Sequence, residues 1–262
     1  MPFPLRTRTR GRPGRGAGVK SVAAAPSFNP LTDLPSLVLW LDASQLTGLS
    51  DGDAVASWTD LTANADHAVQ ATPAKRPTYE TNVLNGLPVI RFDNVDDFLV
   101  TSNVAIGTQK ITVWAVVSAT SGSDRVIAEA STNYSTASDA WLLYRSSANK
   151  VILTTREGVT YSSADSVATV TTTHRAIVAT YDKSLSTNEG TISVDGDNNF
   201  TRAANANHTG TFGTYPVYLG ARGGSSLFLG GDIAEVGICT SALTGTDLAE
   251  LQTYLTDKWG IT

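Results

Sequence analysis

The stretch Gly230-Gly-Asp-Ile-Ala-Glu-Val-Gly-Ile-Cys-Thr-Ser-Ala-Leu-Thr-Gly-Thr-Asp-Leu-Ala-Glu-Leu-Gln-Thr-Tyr-Leu-Thr-Asp-Lys-Trp-Gly-Ile261 decides how the rest of the chain is read. From Asp232 to Cys239 small and β-branched residues alternate at period two, which predicts a strand covered on both faces. After Leu243 the period lengthens. Leu248, Leu251, Leu255 and Trp259 fall at helical spacing, Thr244 stands at the N-cap with Asp247 as its capping-box partner, and Gly260 stops the helix. This is the one helix the sequence predicts, lying across the outside of a β structure and anchored by that apolar stripe.

Upstream, short apolar runs separated by Gly, Asn, Asp, Ser and Thr read as strands. The expected strands include 37–42, 54–61, 87–92, 97–100, 110–118, 125–129, 140–145, 151–156, 175–181, 190–194, 200–202 and 216–219. So many short strands with one helix predict an all-β sandwich. No repeat or linker interrupts the chain after Pro35, so residues 36–262 are expected to form one domain. Cys239 is the only cysteine, which excludes an intrachain disulfide. No apolar run reaches the roughly 18 residues a membrane span requires, so no membrane partner is expected.

Residues 1–35 read differently. Their first thirty positions carry Arg6, Arg8, Arg10, Arg12, Arg15 and Lys20 with no acid, among Gly and Pro. The other 13 of the 19 basic residues stand against all 24 acids, a formal balance of −11. Composition predicts an extended basic arm, disordered in isolation, on an acidic body, an asymmetry that points to a partner of its own. The small-residue patch Val22-Ala-Ala-Ala25 is too interrupted by Lys20 and glycines for a signal peptide.

Several motifs carry a resemblance. Besides Gly-Asp-Ile-Ala-Glu-Val and Tyr-Leu-Thr-Asp-Lys-Trp-Gly-Ile near the end, there are Leu39-Trp-Leu-Asp-Ala-Ser44, Ser57-Trp-Thr-Asp-Leu-Thr-Ala-Asn-Ala-Asp-His67, Arg76-Pro-Thr-Tyr79 and Asn85-Gly-Leu-Pro-Val-Ile-Arg-Phe-Asp-Asn-Val-Asp-Asp-Phe-Leu99. Together they resemble the laminin-G-like domains of the concanavalin-A-like lectin/glucanase superfamily found in bacterial and bacteriophage proteins. The resemblance implies a concanavalin-A-like jelly-roll sandwich. It implies no single activity, since that fold hosts sugar binding, glycan hydrolysis and adhesion. The family usually shows Gly where Ala63 and Ala65 stand, a departure confined to one loop.

Candidate chemistry is sparse. Gly48-Leu-Ser-Asp-Gly52 has the letters of a nucleophile elbow without the strand and helix that would strain it. Glu80, Glu129, Glu157, Glu189, Glu235 and Glu250 are scattered, and none forms the paired-carboxylate string of glycan hydrolases on this fold. No catalytic set emerges, and the expectation is a protein that is not an enzyme. His67, His174 and His208 have no partners at metal-ligand spacing, so no metal site is assigned and no cofactor is required. Calcium binding occurs in the family, and two oxygen-rich loops bear on it: Asp195-Gly-Asp-Asn-Asn199, which lacks the later EF-hand positions and reads as a turn, and the cluster Asp93, Asp96 and Asp97. Trp58, Trp141, Tyr144, Tyr161 and Tyr215 are candidates for a sugar-stacking platform, against ordinary packing. Asn133-Tyr-Ser, Asn199-Phe-Thr and Asn207-His-Thr match the glycosylation pattern that Asn-, Ser- and Thr-rich chains produce by chance.

These readings lead to one expectation and two alternatives. The expectation is a bacteriophage virion structural protein on the capsid or tail surface: a capsid decoration, head-fibre or tail-associated protein. Its arm would bind other virion proteins and its jelly roll would face cell-surface glycans, as a homo-oligomer by family resemblance. One alternative is a secreted bacterial carbohydrate-binding module in the extracellular space. The other is a capsid-interior protein whose arm, with Arg10-Gly-Arg-Pro13 as an AT-hook core, holds nucleic acid.

Overall fold

The computed structural model describes residues 28–120, 122–197, 200–202 and 208–262. The basic residues Arg6, Arg8, Arg10, Arg12, Arg15 and Lys20 lie outside that range, as do Asn198, Asn199 and Asn207. In chain order the strands are β1 (Leu37–Asp42), β2 (Asp53–Ala54), β3 (Ser57–Trp58), β4 (Ala68–Val69), β5 (Thr78–Leu84), β6 (Leu87–Asp93), β7 (Leu99–Ala105), β8 (Lys110–Val117), β9 (Arg125–Ala130), β10 (Trp141–Arg145), β11 (Lys150–Glu157), β12 (Thr160–Thr169), β13 (Arg175–Asp182), β14 (Gly190–Val194), β15 (Phe200–Arg202), β16 (Thr214–Leu219) and β17 (Gly230–Cys239). Among the described residues two α-helices flank them, α1 (Pro30–Asp33) and α2 (Gly245–Trp259), with short 3-10 turns at Ala43–Gln45 and Pro73–Lys75.

The strands make two antiparallel sheets. The first runs β14-β13-β8-β17-β6-β5-β2, with β1 also paired to β17; the second runs β15-β12-β11-β10-β9-β16-β7-β4-β3. Their inner faces close on one apolar core that includes Leu41, Phe92, Val117, Trp141, Leu153 and Ile238. β17 sits at the centre of the first sheet, between β8 on one edge and β6 and β1 on the other, and is buried on both faces as its pattern predicts. Its outer face is covered by α2, which buries Leu251, Leu255 and Trp259 and half-buries Leu248 over Trp114, Val116 and Val178. Gly237 is where the layers meet most closely, because a Cβ there would stand 1.9 Å from the Trp114 ring.

The structure corrects the sequence reading at several points. The expected strand at 54–61 is two short strands in different sheets, β2 beside β5 and β3 beside β4, because the chain crosses the sandwich there. Thr244 is the N-cap of α2, but its side chain makes no capping bond; Gly245 opens the helix with φ +57°, so the local path differs from a capping box. A second helix, α1, is present. Asn29 accepts from the Leu31 amide at 3.0 Å and Pro30 stands at the first turn, a short-range start signal inside the segment read as arm. Phe28 and Leu34 pack with α2 and the first sheet, so this part of residues 1–35 is folded onto the body. Asp195-Gly196 forms the expected two-residue turn, with φ +56° and +78°, but the chain then passes to β15 in the opposite sheet. The Asp195 carboxylate is occupied by the Ala176 amide and the Arg175 guanidinium.

Candidate functional site

The motifs that carry the family resemblance converge on one buried network. Glu235, on β17, accepts from the indole N–H of Trp40 at 2.8 Å, of Trp114 at 3.3 Å and of Trp259 at 2.9 Å. It also receives the Lys258 ammonium at 2.8 Å and the Tyr254 hydroxyl at 3.3 Å. Lys258 reaches on to Asp42 at 2.5 Å. Burial pushes the Glu235 carboxyl up, and the Lys258 charge opposes that shift. The carboxylate has no room for a ligand. Asp60 works likewise in the Ser57-to-His67 motif: its carboxylate holds the amides of Trp40, Thr62 and Asp66, setting the loop in which Ala65 takes φ +57°. The signature is therefore architectural.

The functional candidate lies on the outer face of the second sheet, opposite α2. Alternation along β9 sends Ala128 and Ala130 into the core and Glu129 outward, where register aligns it in a row with Tyr218, Leu142, Thr154 and Ser163. The β9–β10 loop folds back over this row, and Val126, Tyr134, Ala137, Ala140 and Leu142 form a small apolar cluster beneath it. Arg156 pins the loop by donating to the carbonyls of Tyr134 and Ala137 at 3.0 and 3.1 Å. From the other side the β16–β17 loop brings Arg222, whose guanidinium lies 5.3 Å from the Tyr134 ring centre and donates to Ser135 at 2.9 Å.

Between these loops opens a polar cavity of about 350 Å³, with Glu129 at its base and Asn133, Tyr134, Ser135, Arg222 and Ser226 on its walls. Glu129 is fully buried; Oε1 accepts from the Ser131 hydroxyl, and Oε2 has no hydrogen-bond partner. Burial raises its carboxyl above the usual range against the pull of Ser131, Arg222 and the Gly223 amide, the last outside hydrogen-bond geometry. The Tyr134 hydroxyl is also buried, with no partner inside hydrogen-bond criteria; burial pushes its phenol up, and the nearby Thr154 hydroxyl opposes that shift. Beside Tyr134, and not itself on the cavity wall, Tyr161 is half exposed; its ring lies 6.0 Å from the Tyr134 ring and carries the Arg156 guanidinium over one face at 5.5 Å. The arrangement offers a buried carboxyl, a cation, hydroxyls and an exposed aromatic face, a few convergent polar groups beside a flat apolar surface.

Of the aromatic candidates named from sequence, Tyr161 stands beside this site, while Tyr144 and Tyr215 are half-buried against the cluster beneath the loop. Trp58 and Trp141 are core residues. Glu129 appeared in the sequence only as one of several dispersed glutamates, and Tyr134 only inside a glycosylation-like triplet. Arg222 gave no signal beyond its glycine-rich loop, Arg222-Gly-Gly-Ser-Ser226.

Two other polar clusters stand apart from it. Asp93, Asp96 and Asp97 bring ligand oxygens within 4.8 Å of one another and could hold a cation. Their hydrogen bonds are those of a closed turn: Asp93 accepts from the amides of Val95 and Asp96, and Asp97 from that of Asp93. Burial, then the Asp93 charge, pushes the Asp97 carboxyl up to about 6. Lys183, buried over the Phe212 ring, lies 3.5 Å from Asp139 and 3.7 Å from Glu157. Glu157 in turn receives the amides of Thr209 and Gly210, so the cluster fastens a loop. Cys239 is buried, its thiol pushed up to about 12 by burial.

The fold is a lectin-like jelly roll. The family model of the concanavalin A-like lectin/glucanases superfamily, of laminin-G-like type, matches residues 93–249, and the chain belongs to that superfamily. Among solved structures it is similar to the botulinum neurotoxin serotype G binding domain, with TM-score 0.57 and 11% identity over 86% of this chain and 54% of that one. It is similar to botulinum neurotoxin type C, described as entering cells through two ganglioside molecules, with TM-score 0.57 and 12% identity over 84% and 51% of the chains. It is also similar to Trypanosoma rangeli sialidase in complex with 2,3-difluoro-KDN, with TM-score 0.54 and 13% identity over 90% and 36%. The chain thus spans about half or less of the length of these structures, and at such identities the likeness is one of fold. No curated protein matches the sequence.

Proposed function

We propose that this chain is a non-enzymatic glycan-binding jelly roll whose ligand sits in the cavity between the β9–β10 and β16–β17 loops. The carrying observation is the buried Glu129 carboxylate at the base of a roomy polar pocket, its Oε2 without a partner inside hydrogen-bond criteria. An orphaned buried polar atom costs about 1–3 kcal/mol, which a ligand hydroxyl would recover. Sugar hydroxyls suit these groups as donors to Glu129 and acceptors from Tyr134 and Arg222, and the Tyr161 face suits the apolar side of a pyranose. The ganglioside and sialic-acid ligands of its structural neighbours support the ligand class.

Two features support binding without hydrolysis. Among the described residues Glu129 is the only carboxylate on the pocket wall, whereas glycan hydrolysis ordinarily needs a second within about 10 Å. The Tyr134 phenol is shifted up, away from the phenolate a tyrosine nucleophile would need. The charge contrast between arm and body supports attachment to a larger assembly, and we read the protein as displayed on a bacteriophage particle by that arm. The test is a glycan array probed with the full chain and with Tyr161→Ala and Arg222→Ala. A defined subset of glycans held by the wild type and lost by both variants is expected; equal signals from all three would place binding elsewhere. Co-sedimentation of the full chain with capsids over a salt series tests display, and absence of association at low salt would remove the virion reading.

A further inference from the structure

The outward face of α2 has a composition that its packing does not explain. Thr246, Ala249, Glu250, Thr253 and Asp257 form its exposed stripe, and with Phe28, Asp33 and Tyr254 they border an open groove of about 1240 Å³. Three carboxylates, Asp33, Glu250 and Asp257, look onto it. Among the described residues the single cation on its border, Lys258, is already engaged by Asp42, Glu235 and the Tyr254 hydroxyl. The groove therefore presents net negative charge beside small side chains.

The chain itself enters at one end of this groove. Phe28 is half-buried with its ring 5.6 Å from that of Tyr254, so everything before it is delivered to the groove's border. Residues 1–27 carry Arg6, Arg8, Arg10, Arg12, Arg15 and Lys20 and no acid. Tethering matters energetically: a short linker supplies an effective concentration in the millimolar range, so contacts too weak to hold a free peptide still hold a connected one.

We propose that the acidic face of α2 is the seat of the chain's own N-terminal arm, held by ion pairs from its arginines to Glu250, Asp257 and Asp33. The arm is then a displaceable strap: a more acidic partner, or salt, competes it off α2. This proposal is independent of the glycan-binding reading, which concerns the opposite face of the sandwich.

The test is limited trypsin digestion of the full chain at low salt, reading the rate of cleavage after the arm arginines. The references are a synthetic peptide of residues 1–27 and the full chain carrying Glu250→Gln and Asp257→Asn, checked for an unchanged near-ultraviolet circular dichroism spectrum. When opening is fast, cleavage tracks the open population, so an arm docked nine parts in ten is cut about ten-fold more slowly than the peptide. The expectation is that protection, lost in the double variant and in high salt, and independent of protein concentration. Equal cleavage of wild type, variant and peptide overturns the proposal. Protection that grows with protein concentration overturns it in favour of docking on a second copy.

Discussion

Replacing Glu235 by alanine should cost most of a helix's attachment to the sandwich. Its carboxylate is fully buried and receives three indole donors, a tyrosine hydroxyl and an ammonium. Alanine strands these donors, and Lys258 alone among them keeps the alternative acceptors it already has, Asp42 and the Tyr254 hydroxyl oxygen. A buried donor left unpaired costs about 1–3 kcal/mol, so the three indoles account for at least ~3 kcal/mol. Loss of the ionic bond adds about 1.5–3 kcal/mol, while release of the carboxylate's own desolvation offsets part of the total. The net is about 4 kcal/mol, in the range found when one member of a buried pair is removed. Against a total stability of about 5–15 kcal/mol that is a large fraction, and it corresponds to a fall in Tm of roughly 8–16 °C. Glu235→Gln keeps an acceptor for the indoles but sets an amide against Lys258, and should cost about half as much. Urea unfolding followed by tryptophan fluorescence is a direct assay, since Trp40, Trp114 and Trp259 report on the site itself. A loss below ~1 kcal/mol for alanine, or equal losses for the two variants, would refute the network's role as the clamp between helix and sheet.

Three further outcomes are expected. Gly237→Ala should destabilise by about 3 kcal/mol or more, because its methyl must displace the Trp114 ring at the contact between sheet and helix; a Tm within ~2 °C of wild type would show that the layer can open. Ala65→Gly should stabilise by roughly 0.5 kcal/mol, since Ala65 holds φ +57° and the strain relieved exceeds the added chain entropy; a lower urea midpoint would contradict this. Asp97 binds its proton more tightly folded, with a pKa of about 6 against the ordinary 3.8, so its contribution is full below the lower value and lost as pH rises through the upper one. Wild type should therefore gain about 1 kcal/mol relative to Asp97→Asn on going from pH 7 to pH 5. Parallel pH profiles of urea midpoints for the two proteins would refute it.

What the sequence made legible follows from where periodicity and burial coincide. β17 and α2 were readable because one is covered on both faces and the other on a single stripe, and each burial pattern imposes its period on the residues. β12 was not readable. Tyr161-Ser-Ser-Ala-Asp-Ser-Val-Ala-Thr169 lines the second sheet near its β15 edge, where Ser162 meets Glu189 and Ser163 meets Thr154, so polar residues stand where alternation would call for apolar ones. β5 was missed for a related reason: much of it is exposed, and its apolar content is low. α1 is too short for any period, and only its Asn29-Pro30 start could have disclosed it.

The candidate site was less legible than the fold. Glu129 looks like any glutamate until strand register turns it outward under a loop, and Arg222 is separated from Tyr134 by most of the second sheet's later strands. Tyr161 was named, but its role depends on the fold-back of the β9–β10 loop, which no local pattern specifies. The strongest sequence signature instead marks Trp40, Asp60, Glu235, Lys258 and Trp259, the residues that hold the layers together.

Glycan binding at the β9–β10 and β16–β17 loops is tested most directly by amide chemical-shift mapping of the full chain in titration with the glycan that binds best on the array. Shifts are expected to concentrate at residues 131–136, 161 and 222–226, to saturate together, and to be absent in Arg222→Ala. Shifts centred on the Asp93–Asp97 turn or on α2, with residues 131–136 and 222–226 unmoved, would contradict it.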